Sequence, residues 1–113
     1  MLLRANGAIE RIGAGDGGLA LGMFEHATYV AHQVTVEPGN VLVLYSDGIT
    51  EAENTSGKAF EESGLIDVVT ANAKRDPGQI GAEVLAAVDR FAGDARLADD
   101  LTALVLVRGA KTD

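Results

Sequence analysis

The sequence predicts an α+β domain, helices layered on a largely antiparallel sheet, and three observations carry that prediction. "VLVLY" at residues 41–45 and "LTALVLV" at 101–107 are apolar runs of strand length. Between them, Ile80, Val84, Leu85, Val88 and Phe91 recur at helical spacing. The order is therefore strands, two helices, then a strand, which layers helices on one sheet.

Each element has a local reason. "MLLRA" and "AIERI" flank Asn6-Gly7, the dipeptide most diagnostic of a tight hairpin. A chain that opens in a strand leads one to expect something upstream in the parent protein. The glycine-dense "GAGDGGLALG" reads as loop. Residues 28–36, "TYVAHQVTV", alternate as a half-buried strand does, and Pro38-Gly39 then turns the chain. This predicts an antiparallel hairpin with "VLVLY" across "EPGN", and "VLVLY" is apolar enough to be central. "FEESGLIDVVTANA" has helical spacing through Phe60, Leu65, Val68 and Val69 despite Gly64. The second helix is framed by Asp76 as cap, Pro77 in its first turn and Gly93 at its stop.

Composition narrows the chemistry. A chain of 113 residues, 47% hydrophobic and 23% charged, fits one globular domain or part of one. Nine Lys+Arg against 17 Asp+Glu leave a net charge of -8, which repels nucleic acid and anionic membrane surfaces. Without cysteine there is no disulfide, thiolate metal site or cysteine nucleophile. No stretch reaches the ~20 apolar residues of a membrane span, and the N-terminus lacks a signal-peptide core, so the expected compartment is the cytoplasm.

The informative residues are acids at strand ends. Asp47 follows "VLVLYS", and Asp99-Asp100 precede "LTALVLV". Taken singly, each is more often structural than catalytic, since Asp-Gly is a common turn and an aspartate readily caps one. Together, at the ends of two apolar strands, they suit a hard divalent cation, and oxygen donors without thiols favour Mg²⁺ or Mn²⁺ over zinc. A calcium loop is excluded, because Val43 and Tyr45 would fall at its first ligand positions if Asp47-Gly48 were its fifth and sixth.

These residues carry a resemblance. "VEPGNVLVLYSDGITEAEN", then "KAF", a helix and "LADDLTALVLV", resembles the C-terminal half of PPM-type protein serine/threonine phosphatases. Within them it is similar to the bacterial branch typified by stage II sporulation protein E. That branch shows a Pro-Gly turn, a strand ending in an aromatic, Thr or Ser, then Asp-Gly and Glu-Ala, and later Asp-Asp, an aliphatic residue and Thr. The match covers nearly the whole chain, including the leading hairpin and "LALGM". One departure is "AFEESGL", where the family commonly carries Phe-Gly before the next helix.

The resemblance implies part of a PPM α/β sandwich, with residues 1–113 as the C-terminal portion of the domain. It implies two Mn²⁺ or Mg²⁺ ions that activate water for attack on a phosphoserine or phosphothreonine. Asp47 and Asp99 are then metal ligands, and Asp100 is a ligand or stands behind one. Gly48, Glu51 and Thr102 are motif residues of lower rank, with Glu53 a solvated acid. The family's other metal aspartates belong to its N-terminal half, and no such segment precedes Met1. The chain alone is therefore expected to hold metal weakly and to turn over little. A sheet lacking partner strands is also expected to self-associate through its edges. The implied partner is a phosphoprotein, of the anti-anti-sigma type in that branch.

Two rivals remain. Gly13 to Gly18 spell G-x-G-x-x-G with Glu37 nineteen residues on, a dinucleotide-binding pattern. Glu10 and Arg11 in the preceding strand, and Gly22 in the helix that should follow, oppose it. A helix over residues 17–27 would favour it. The other rival is a phosphatase-derived module that only binds proteins. His26 and His32 read as surface or edge residues and Tyr45 as a packing residue. The six arginines, Arg4, Arg11, Arg75, Arg90, Arg96 and Arg108, are scattered along the sequence and offer no evident phosphate clamp.

Overall fold

The computed structural model describes residues 1–12, 33–95 and 100–109. The glycine-rich segment with its dinucleotide-like pattern, both histidines and Asp99 lie outside the described residues. Asn6-Gly7 forms the expected turn, in which Gly7 has φ of 92° and Arg4 N–H donates to Ala8 C=O at 2.8 Å. It joins β1 (Leu2–Leu3) to β2 (Ile9–Glu10), paired antiparallel. β3 (Val41–Tyr45) lies between β1 and β4 (Ala103–Val107), giving the order β2-β1-β3-β4. Every pairing among the described residues is antiparallel, which a parallel dinucleotide-binding sheet would not give.

The predicted hairpin across "EPGN" does not form over its described residues, and residues 28–32 of the expected strand lie outside them. Residues 33–37 are not strand, and the central position of β3 comes from β1 and β4 instead. The physical reason lies in where the carbonyls go. Arg4 Nη1 donates to Thr35 C=O at 2.7 Å and Arg108 Nη1 to Val36 C=O at 2.9 Å, so guanidinium groups take the acceptors that a strand ladder would use. Gly39, with φ of 86°, then donates its N–H to Arg108 C=O and hands the chain into β3. The buried Asn40 fastens this turn by accepting from Ala5 N–H at 3.0 Å.

The β3–β4 register sorts the two apolar strands by face. Val41 opposes Val107 and Val43 opposes Val105, whereas Leu42 opposes Leu106 and Leu44 opposes Leu104. The valine face belongs to the core shared with Met1, Leu3, Leu65, Val69, Ile80, Val84 and Val88. The leucine face is open: Leu44, Leu104 and Leu106 are 52%, 61% and 50% exposed. Continuous hydrophobicity thus marks strands apolar on both faces, of which the described helices cover one.

That helical layer consists of α2 (Glu61–Ala71) and α3 (Pro77–Ala92). α3 starts in a full capping box: Asp76 Oδ1 accepts from Gln79 N–H at 2.9 Å, and Gln79 Oε1 accepts from Asp76 N–H at 3.4 Å. Its buried stripe is Ile80, Val84, Ala87, Val88 and Ala92. Leu85, expected on that stripe, is instead exposed, because the true line steps from Val84 to Val88 and Leu85 falls a full residue off it.

The departure from Phe-Gly has a conformational consequence. Glu61 has φ of 63°, a left-handed conformation that glycine adopts freely and other residues at a cost. Three residues on, Gly64 is obligatory: a Cβ there would stand 2.7 Å from the Phe60 ring, which packs edge-on against Phe91 at 5.4 Å. Gly64→Ala is expected to destabilise by about 1–2 kcal/mol, the clash outweighing the better helix propensity of alanine. Glu61→Gly is expected to stabilise by up to about 1 kcal/mol. Urea unfolding of both variants checks the pair: a Gly64→Ala variant as stable as the parent, or a Glu61→Gly variant less stable than it, would contradict the reading.

Candidate metal centre

Asp47 stands where β3 ends. It is the first residue of a one-turn helix, α1 (Asp47–Thr50). The side chain of Asp47 is exposed while Gly48 and Ile49 behind it are fully buried. Ile49 belongs to the core, and Glu51 N–H donates to Asp47 C=O at 2.8 Å, so the turn carrying Asp47 is anchored from below.

Asp100 arrives from the other side of the same sheet end. Ser46, which is not among the expected site residues, makes this junction. Its Oγ accepts from Thr102 N–H at 3.0 Å and donates to Asp100 C=O at 3.3 Å. Its own N–H donates to Thr102 C=O at 2.9 Å, extending the β3–β4 ladder by one step. Three hydrogen bonds from one residue therefore hold the approach to β4 beside the start of α1. The available signal was the hydroxyl residue that precedes Asp-Gly in the resemblance.

Asp47 and Asp100 are exposed, and neither carboxylate makes a hydrogen bond or ion pair among the described residues. Unpaired oxygens on a rigid strand end are the donor type that Mg²⁺ and Mn²⁺ accept. Their number is short: among the described residues no group of three or more His, Cys, Asp or Glu is placed to hold a metal. Asp99 lies outside the described residues. The donors fit the ions in kind, and the described set is smaller than an octahedral ion requires.

The remaining motif residues have structural duties. Thr102 contributes backbone, not side chain, to the Ser46 junction. Glu51 is exposed at the C-cap of α1, and Glu53 forms an isolated bridge with Ala59 that closes the turn after it. Tyr45, half-buried opposite Ala103, has its phenol pushed above the ordinary tyrosine value first by burial and then by the Glu62 carboxylate, with Arg11 opposing and Asp47 adding to the rise. Glu62 is itself held by Arg11 at 2.7 Å. This sheet end is thus an acid-rich surface.

Comparison with known proteins bears on the family and the fold. The family model described as Stage II sporulation protein E (SpoIIE) matches residues 1–109. Protein IcfG of Synechocystis sp. is 33% identical over 55 residues, which is 49% of this chain and 9% of that protein. The structure of the SiaA-PP2C domain of Pseudomonas aeruginosa superposes with a TM-score of 0.59 at 23% identity, covering 66% of this chain and 31% of that one. This last likeness is one of fold. The chain spans under a third of the length of either relative.

Proposed function

Because this chain belongs to the stage II sporulation protein E family of PPM phosphatases, we propose that it is the C-terminal portion of a metal-dependent protein serine/threonine phosphatase domain. The observation that carries the reading is the Ser46 junction, which sets the segments of Asp47 and Asp100 side by side with both carboxylates unengaged among the described residues. Two divalent ions, Mn²⁺ or Mg²⁺, supply in such a site an activated water and charge neutralisation on the phosphoryl oxygens. The part of this chain is to present Asp47, Asp99 and Asp100 as ligands, with Asp47 where β3 ends and Asp100 ahead of β4. Gly48 and Thr102 shape the backbone around them, and Glu51 lies at the rim.

In this reading the metal site draws on residues beyond the three aspartates of this chain, so the chain by itself is a poor catalyst. With Mn²⁺ and a phosphoserine peptide, turnover is expected below ~10⁻² s⁻¹; a value of ~1 s⁻¹ or more, ordinary for an enzyme, would contradict the partial-domain reading. The alternative, a phosphatase-derived module that only binds proteins, predicts no Mn²⁺ response at Asp47.

The physiological partner in this reading is a phosphoprotein, anti-anti-sigma-like by family resemblance, in the cytoplasm. Neither nucleic acid nor a membrane surface is a partner of a chain this acidic. No helix among the described residues is long and apolar enough to cross a membrane. The open leucine face and the outer edge of β4, unpaired among the described residues, are the surfaces through which the isolated chain self-associates. Light scattering that finds a monomer at high concentration would rule this out.

A further inference from the structure

The six arginines are scattered in sequence, and the fold gathers half of them. Arg4 at the end of β1, Arg75 after α2 and Arg108 after β4 surround one cavity of about 510 Å³, and Lys74 joins them. Four of the chain's nine Lys+Arg thus converge in a protein of net charge -8. No aspartate or glutamate is among the described residues lining the cavity. It opens at the far end of β3 from Asp47, so five strand residues, about 16 Å, separate it from the candidate metal centre.

The four cations are not equally engaged. Arg4 is paired with Glu10 at 2.7 Å, and Arg75 approaches Glu83 only to 4.0 Å. Lys74 and Arg108 have no acid within ion-pair distance among the described residues. Arg108 spends one Nη on Val36 C=O and keeps its other donors. The cavity floor is apolar, made by Leu3, Ala73 and Val107. Like charges converging on a concave surface favour an anion there, and the apolar floor favours one with a hydrophobic body. The volume falls within the ~300–1,000 Å³ of small-molecule sites.

We propose that this cavity is a binding site for a small phosphate ester of nucleoside monophosphate size, with its phosphate between Lys74 and Arg108 and its ring system on Leu3, Ala73 and Val107. The site is independent of the phosphatase reading, because it uses none of the strand-end acids. Occupancy would tie the end of α2 to the ends of β1 and β4.

The test is a chemical-shift titration of the ¹⁵N-labelled chain with AMP, inorganic phosphate and adenosine, without divalent metal. AMP is expected to give saturable shifts at Thr70, Ala73, Lys74, Arg108 and Gly109, with phosphate and adenosine each binding at least about tenfold more weakly. Lys74→Glu, at an exposed position, is expected to weaken AMP at least about tenfold. Lys58→Glu, an equal charge change elsewhere on the surface, leaves it unaltered, and Arg75→Gln gives an intermediate loss. The proposal is overturned if AMP produces no saturable shift up to ~10 mM, a binding free energy of under about 3 kcal/mol. Equal binding of adenosine or phosphate, or equal effects of Lys74→Glu and Lys58→Glu, overturns it as well.

Discussion

Replacing Ser46 by alanine is expected to weaken Mn²⁺ binding about tenfold while the domain stays folded, the size of loss seen when groups that orient metal ligands are removed. The Oγ of Ser46 links Thr102 N–H and Asp100 C=O across the end of the sheet. Without it, those two backbone groups turn to water, which is available because the junction is exposed, so the stability cost stays near 1 kcal/mol. What is lost is the fixed spacing between the segment of Asp47 and that of Asp100. Ser46→Thr keeps the hydroxyl and should retain most of the affinity. An alanine variant that binds Mn²⁺ as well as the parent would show that the junction does not position the acids.

Leu65→Ala is expected to cost about 3 kcal/mol, read as a lower urea midpoint at an unchanged slope. Leu65 is fully buried in α2, and it belongs to the cluster that unites Ile49 under the candidate site with Ile80 and Val84 of α3 and the valine face of the sheet. A domain of this size has only about 5–15 kcal/mol in hand, so the change removes a large share of it. The same truncation at Leu85, which the sequence pattern ranks as its equal, is expected to cost under 1 kcal/mol because Leu85 is exposed. Equal losses at the two positions would contradict the observed helix orientation.

The contrast between Leu65 and Leu85 shows what was legible in the sequence. Where a local rule acts within a few residues, the reading succeeded: Asn6-Gly7 made its hairpin, Asp76-Pro77 opened α3, and the two apolar runs became paired strands. A helix leaves room for more than one apolar stripe, so the choice between Leu85 and Ala87 waited on the sheet beneath. The strand expected at 28–36 failed over residues 33–36, since alternation there competes with Arg4 and Arg108, which reach in from distant positions and take its carbonyls. Gly64 looked like a flaw in a helix until the Phe60 ring supplied its reason.

The candidate site divides in the same way. The acids were visible because they interrupt apolar strands, and their order along the chain carried the resemblance. Ser46 showed only as a hydroxyl residue ahead of Asp-Gly, because its role depends on backbone groups 54 and 56 residues away. The basic cavity was hidden for the same reason: Arg4, Lys74 and Arg108 meet only when β1, α2 and β4 end at one place.

The central claim is that Asp47 and Asp100 form part of a divalent metal site, and paramagnetic broadening by Mn²⁺ tests it most directly. Increasing Mn²⁺ is expected to broaden the amide resonances of residues 46–48 and 100–102 first, and Asp47→Asn is expected to abolish that selectivity. Broadening spread evenly over the chain's acids, or a pattern unaltered in Asp47→Asn, would contradict the account.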